Sequence, residues 1–416
     1  MNVEAVRMLD YYVGVPLCFL GTLVKKIAGI FKGKRQVNKP ANILFVELSE
    51  MGSVILADPA MSKAKKLLDA KLFFAIFRSN SHSLELLNTI PQDNVFIMAD
   101  ASIFHVAVDA FRFLLWARKK RIDTVVDLEL FSRFTALLTG FSGAGNRVGF
   151  HAFYNEGLYR GDFLTHKVAY NPHQHIAKNF IALVNALLAG KMELPYSKTV
   201  IPDSELSLRK AVIGGDARQE MMGKVATLYP SYDAGRHRLV IFNCNSSDMI
   251  PLRRWPQEYY IELARKIVGS YPEVVILLTG SEVERTSKNA IAKAVNSLRC
   301  LNFAGATELT DLPVLYSICD FMLTNDSGPA HFASVTDMPV YVFFGPETPK
   351  IYGPLGRMTP IYAALACSPC VAATNHRKSV CNDNVCLQII TPDNVYAMLR
   401  SELDRSPHPI DIDAQQ

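Results

Sequence analysis

The residues best suited to chemistry lie in one stretch, Cys319–Ala333, which reads CDFMLTNDSGPAHFA. An apolar run, Phe321–Thr324, leads into Asn325-Asp326-Ser327-Gly328-Pro329 and then into a helix expected to carry His331. Ser327 fits an N-cap and Pro329 lies close to the first helical position. Free backbone N–H groups and the positive helix end are therefore expected at the strand's carboxyl end. Such an end suits phosphate, and Gly328 would let a diphosphate come close to the main chain. Asp326 repels phosphate; its natural partners are sugar hydroxyls. The same pattern is also that of an ordinary capped turn between strand and helix.

A second stretch favours the anion reading. Asn243-Cys244-Asn245-Ser246-Ser247 follows another apolar run, and Arg253-Arg254-Trp255-Pro256 precedes the next helix. Guanidinium is permanently charged and bidentate, which suits a diphosphate, although surface arginines flanking Trp255 would look the same. Thr279-Gly280-Ser281-Glu282-Val283-Glu284 closes a third run. A carboxylate just inside that helix, Glu284 or Glu282, could accept hydrogen bonds from a ribose diol, or could only favour the first turn as an acid.

These residues need a scaffold, and the sequence supplies one. Short β-branched runs at Ile43–Leu48, Leu72–Phe77, Asn94–Met98 and Thr124–Leu128 alternate with helix-length amphipathic segments such as Val54–Leu68 and Ile103–Lys119. A second series follows at Leu239–Phe242, Val274–Leu278, Cys300–Phe303, Phe321–Thr324 and Val340–Phe344. The alternation predicts an α/β chain of two Rossmann-like, doubly wound domains facing a central cleft. The chain of 416 residues is long enough for two cores. Pro202, Gly214-Gly215, Pro230 and Gly235 mark a hinge within 203–235, which divides the chain into 1–39, 40–225, 236–395 and a helix and tail at 396–416. Half the residues are hydrophobic and the formal charge is +5, which excludes a disordered or nucleic-acid-coating polymer. Arg118-Lys119-Lys120-Arg121 closes a helix and complements its dipole, so no nucleic-acid partner is implied.

The first 39 residues stand apart. Tyr11–Val24 is uncharged, and Lys25, Lys26, Lys32, Lys34, Arg35 and Lys39 follow. The run is shorter than the ~20 residues of a membrane span, and Glu4 and Asp10 sit where a signal peptide would be positive. The expectation is an interfacial helix, peripheral or monotopic, with Tyr11, Tyr12 and Phe19 at headgroup depth and the cations on anionic lipid. A hydrophobic helix packed on the protein's own core is the alternative.

Arg253-Arg254-Trp255-Pro256, Gly280 with Glu284, Asn302-Phe303-Ala304-Gly305, Asn325–His331, Phe344-Gly345-Pro346 and Cys367-Ser368-Pro369-Cys370 resemble, in order and spacing, the lipopolysaccharide heptosyltransferases of glycosyltransferase family 9. The resemblance spans roughly residues 40–395 and is more specific in the second half. It extends to Ser49–Leu56, Asp123–Glu129 and Arg147-Val148-Gly149-Phe150. It implies a GT-B fold and inverting, metal-independent transfer of a heptose-like sugar from an ADP-linked donor. The acceptor would be a lipid-linked saccharide at the cytoplasmic face of the inner membrane. No cofactor is implied beyond the nucleotide-sugar, which is a substrate. The first domain would take the acceptor and the second the donor. Arg253 would bind the phosphates with Ser327, Gly328 and His331, Asp326 would hold the donor sugar, Glu284 would meet the ribose, and Asn243 would lie at the same strand end.

The departure from the pattern falls at position 53. The family has Gly-Asp there, with the Asp as catalytic base; this chain has Gly52-Ser53, and serine is no base at neutral pH. Glu50 is the nearest replacement in the same loop, with Asp58 and Glu47 behind it. An unusual substrate pair, or a catalytically silent protein that binds nucleotide-sugar or glycolipid, is the competing reading. A GT-B epimerase acting on nucleotide sugars is a third, disfavoured by the apolar and basic segment. Cys367, Cys370, Cys381 and Cys386 form C-x2-C-x10-C-x4-C, with His376 between them; free thiols or a disulfide are expected there rather than zinc, so no metal is assigned. Cys18, Cys244, Cys300 and Cys319 are isolated in apolar stretches and read as buried, reduced thiols. His173 and His175 read as helix-entry residues.

Overall fold

Two series of buried apolar runs become two separate parallel sheets in a computed structural model of the chain, which describes residues 3–31, 39–130, 132–154, 158–246, 250–372, 375 and 377–405. Lys32, Lys34, Arg35, Ser247, His376 and the tail 406–416 lie outside the described residues. The chain divides into one unit of Met1–Ser207 with Ala373–Arg377 and a second of Leu208–Ala372 with Lys378–Gln416.

The first unit opens with α1 (Val3–Tyr12) and α2 (Gly14–Phe31), then β1 (Asn42–Val46), α3 (Met51–Leu68), β2 (Lys71–Phe77), α4 (His82–Leu87) and β3 (Val95–Met98). It continues through α5 (Ile103–Lys119), β4 (Thr124–Asp127), α6 (Arg133–Phe141), β5 (Asn146–Phe150), β6 (His166–Val168) and α7 (Ile176–Leu188). The strands lie in the order β3-β2-β1-β4-β5-β6, all parallel. Ile43, Leu44, Phe45 and Val46 are fully buried because helices cover both faces, so β1 reads as an unbroken apolar run.

The second unit contains α8 (Gly215–Leu228), β7 (Arg238–Asn243), α9 (Gln257–Ser270), β8 (Val274–Leu278), α10 (Arg285–Val295), β9 (Cys300–Asn302), α11 (Leu312–Ser317) and β10 (Phe321–Asn325). It closes with α12 (Gly328–Phe332), β11 (Val340–Phe344), α13 (Pro349–Tyr352), β12 (Met358–Tyr362), α14 (Val385–Gln388) and α15 (Pro392–Leu403). Its order, β12-β11-β10-β7-β8-β9, is the same doubly wound arrangement. Strand order reverses between β1 and β4 in one unit and between β7 and β10 in the other. A crevice opens at the carboxyl ends of those pairs, where α/β sheets take ligands.

Two features differ from the expectation. Residues 208–225, expected with the first domain, pack with the second unit: Ala211 N donates to the Val335 carbonyl at 2.8 Å, Lys210 Nζ reaches the Thr336 carbonyl at 2.6 Å, and Met221 and Val225 of α8 are buried there. Each sheet also has strands that the apolar runs did not mark. β6 has three residues, and β12 keeps Thr359 and Pro360 exposed, so neither carries a buried run.

The N-terminal helices have two unlike sides. One side is seated on the unit: Cys18 is fully buried with Ala136 and Phe163, Asp10 pairs with Arg133 at 2.9 Å, and the Asp162 N–H donates to Thr22 Oγ1 at 2.8 Å. The other side is apolar and open, with Tyr11 57%, Phe19 60% and Ile30 79% exposed. The helical run Val6–Ile30 is long and apolar enough to cross a membrane, longer than Tyr11–Val24 because Met8, Leu9 and Ile27–Ile30 extend it.

In the second unit Trp255 stacks on Phe343 at 4.4 Å, meets Tyr260 edge-on at 4.8 Å, and donates Nε1–H to the Ile390 carbonyl at 2.8 Å. Its backbone N–H donates to Asn325 Oδ1 at 2.9 Å, which ties the arginine loop to the end of β10. Trp255→Ala removes the ring and leaves a void, so the unfolding free energy of this unit should fall by about 3–5 kcal/mol. A lower urea midpoint at unchanged slope is the measurement that checks it.

Candidate functional site

The second unit brings the expected donor residues to one sheet edge. Asn243 ends β7 and is buried opposite Thr324 of β10. Asp326, buried directly after β10, is held by its N–H to the Phe343 carbonyl at 3.1 Å. Arg253 lies beside it, with Nη1 3.5 Å from Asp326 Oδ2 and 3.8 Å from Glu347 Oε2. Glu347 is buried and was not singled out in the sequence, since nothing local distinguishes it. The guanidinium thus faces two carboxylates, which a diphosphate would have to displace.

Ser327 stands at the N-cap of α12, but its hydroxyl turns back to the Asn325 carbonyl at 3.1 Å and caps no N–H. The helix is only five residues long, so the macrodipole available at this end is smaller than the sequence suggested. A Cβ at Gly328 would rest 3.4 Å from the Phe332 ring, and His331 is buried one turn along.

Glu284 joins a capping box with Ser281: Oε2 accepts from the Ser281 N–H at 2.6 Å and Oγ at 2.9 Å, and Oε1 accepts from Asn245 Nδ2. Burial pushes its pKa up, but the bonds from Asn245 and Ser281 and the charge of Lys288 outweigh that and leave it below the usual carboxylate value. A Cβ at Gly280 would stand 2.9 Å from Glu284 Oε2, so glycine there admits the carboxylate. Lys288 is fully buried, and its ammonium has no hydrogen-bond partner among the described residues. Its i+4 spacing from Glu284 was the signal in the sequence. Glu282 instead points to Arg285 at 3.3 Å and is largely exposed.

The first unit gathers the candidate bases. Glu50 stands at the N-cap of α3, accepts the Ser53 hydroxyl at 2.9 Å, and pairs with Arg377 of the same unit. Behind it Glu47 and Glu129 are buried together; Glu129 Oε1 accepts from the Leu48 and Ser49 N–H groups and from Ser49 Oγ. Burial, with the charges of Glu129 and Glu50, raises the Glu47 pKa well above its ordinary value, and burial raises Glu129 as well. The pair therefore retains a proton that a single exposed glutamate would lose. Asp58 is buried and accepts the Thr89 hydroxyl at 2.5 Å, inside the unit rather than at the sheet edge.

None of the eight cysteines forms a disulfide, and Cys18, Cys244, Cys300 and Cys319 are buried. Burial pushes the Cys386 thiol up to about 11, with Cys370, Cys381 and Cys367 adding to it. Among the described residues no three metal-ligating side chains converge. His175 caps α7, accepting the Ala177 N–H at Nδ1, as a helix-entry residue should.

Comparison with known proteins agrees with these motifs. The model of glycosyltransferase family 9 (heptosyltransferase) matches residues 117–380. Lipopolysaccharide heptosyltransferase 2 of Salmonella typhimurium is 32% identical over 136 residues, covering 32% of this chain and 38% of that protein. Its counterpart in Escherichia coli K12 is 26% identical over 243 residues, covering 57% and 64%. The chain therefore matches less than two thirds of the length of these relatives. The solved structure of E. coli ADP-heptose lps heptosyltransferase II superposes with a TM-score of 0.66 at 20% identity, over 87% of this chain and 98% of that one. The shared architecture is the GT-B fold.

The buried glutamates give the first unit a pH signature. Because the folded-state pKa of Glu47 lies above the ordinary glutamate value of 4.5, its contribution to stability is complete below that pH and is lost as pH rises through the folded pKa. Urea midpoints measured upward from pH 4.5 should decline in the native protein, and Glu47→Gln should flatten the decline.

Proposed function

We propose that this chain, which belongs to glycosyltransferase family 9, transfers a heptose-like sugar from an ADP-linked donor to a lipid-borne saccharide of the lipopolysaccharide type. The observation that carries the reading is the pairing of Arg253 with Asp326 just after β10, in the same sheet whose β7 loop reaches Glu284 through Asn245. Arg253 would stabilise the diphosphate as it leaves, the point at which charge develops. Asp326 would orient the sugar through its hydroxyls, and Glu284 would accept from the ribose. Ser327 and Gly328 would hold the phosphates by hydroxyl and main chain, beside His331 and Asn243. The donor named for the E. coli structure, ADP-heptose, supports the nucleotide and sugar class.

Glu50 takes the part of general base. Its carboxylate accepts the Ser53 hydroxyl, so it lies beside the position where the family pattern has aspartate, and Arg377 fixes its orientation. Attack by the acceptor oxygen on the anomeric carbon, with the diphosphate departing from the opposite face, inverts configuration. Arg253 supplies the positive charge to the leaving group without a metal ion.

The open apolar side of α1 and α2, with Lys25 and Lys26 in α2 and Lys39 beyond it, supports attachment to the cytoplasmic face of the inner membrane. The chain would then meet its acceptor where the lipid lies.

Incubation with ADP-heptose and extracted lipopolysaccharide acceptors should add one sugar mass to the acceptor. Glu50→Gln should lower turnover by about 10²–10⁴-fold while nucleotide affinity stays unchanged. Full turnover in that variant removes Glu50 from the mechanism, and nucleotide binding without product in the native protein favours a silent sugar-nucleotide-binding protein. Phe19→Asp combined with Ile30→Asp should move the chain from sedimented anionic vesicles to the supernatant.

A further inference from the structure

A cavity of about 240 Å³ in the first unit is lined by none of the residues assigned to the proposed reaction. It is far larger than the ~10–15 Å³ needed to hold one water. Asp127 and Arg160 form part of its lining, and Phe150, Phe153 and Phe163 give it aromatic surface. The charges are already matched: Arg160 donates to Asp127 Oδ2 at 2.5 Å and to Thr135 Oγ1 and the Ser132 and Glu129 carbonyls. A diphosphate would find no available guanidinium there. His151 also lines the cavity, meets Phe153 edge-on at 4.8 Å, and makes no side-chain hydrogen bond among the described residues. Burial, reinforced by Lys167, holds its pKa below the usual imidazole value, so at neutral pH it offers one donor and one acceptor.

Aromatic surface with a neutral donor–acceptor group suits a ring that has C–H faces and hydroxyl edges. We propose that this cavity binds a neutral pyranose ring of the lipid-borne acceptor. The identity of the ligand rests on the transferase reading; the cavity and its chemistry do not. Its position fits the assignment from two directions. Gly161–Phe163, which line the cavity, also carry α2: a Cβ at Gly161 would stand 2.8 Å from Thr22 Oγ1, and one at Gly21 would stand 3.0 Å from the Phe163 ring. Asp127 ends β4, the strand beside β1, and Glu129 just after it bonds the Ser49 loop that leads to Glu50. A saccharide held here would lie between the apolar helix and the sheet edge that carries the proposed base.

The test uses the full chain and a lipid-free core oligosaccharide released from lipopolysaccharide by mild acid, observed by saturation-transfer NMR, with ADP titrated separately. The native protein should transfer saturation to the sugar-ring protons. Ala152→Trp, which fills the cavity, should abolish the transfer. His151→Leu, which preserves bulk and removes the polar group, should weaken binding about tenfold. ADP affinity should be the same in all three proteins. Absence of oligosaccharide binding to the native protein, or equal binding by the native protein and both variants, overturns the proposal. Cavity-dependent saccharide binding in a protein that transfers no sugar keeps this inference and removes the transferase reading; transfer with saccharide binding indifferent to both variants does the reverse.

Discussion

Between β7 and β10 the strand order reverses, and the chains leaving those two strands turn away from each other toward opposite faces of the sheet. That divergence leaves a crevice lined by whatever residues end the strands, here Asn243 and Asn325. Asn325 then fixes the rest: its side-chain oxygen accepts the Trp255 N–H at 2.9 Å and the Tyr260 hydroxyl at 3.2 Å, binding the start of α9 to the tip of β10. Arg253 and Asp326 meet because this one amide holds their two loops together. The same reversal between β1 and β4 places the loops of Glu50 and Glu129 side by side in the first unit.

The two sheet edges differ in how they treat charge. In the second unit a largely buried guanidinium faces two buried carboxylates, and Glu284 is held ionised by donors and by Lys288. In the first unit Glu47 and Glu129 are crowded with no cation paired to either carboxylate among the described residues, so burial keeps a proton in the pair. One edge is suited to receiving negative charge; the other already stores protons and negative charge behind a surface glutamate. On the proposed mechanism the first edge would serve the donor and the second the acceptor.

Much of this was legible from the amino-acid sequence where the informative contacts are local. Central strands such as β1, β7 and β10 are buried on both faces and therefore appear as unbroken apolar runs. The corner Asn325–Pro329 is recognisable because turn chemistry constrains adjacent residues. The Ser327 hydroxyl was harder, since Asn325's carbonyl and the helix N–H groups compete for it and the former wins. Glu347 beside Arg253, and Arg377 beside Glu50 at a separation of 327 residues, depend on tertiary placement and leave no periodic trace. The N-terminal segment was ambiguous for a physical reason: a helix with apolar residues around most of its circumference satisfies both a protein surface and a lipid one.

The Arg253 cluster has a bearing on selectivity. With Asp326 Oδ2 at 3.5 Å and Glu347 Oε2 at 3.8 Å, the guanidinium charge is already more than offset before any ligand arrives. A monovalent anion gains little by entering, because it trades hydration for a cation that is already compensated and for repulsion from two fixed carboxylates. A multivalent anion carrying its own sugar hydroxyls is different: it gives Asp326 hydrogen-bond donors while its charge engages the arginine. On the proposed donor reading, the resident acids would act as placeholders, disfavouring chloride and reclaiming the guanidinium when the nucleotide departs.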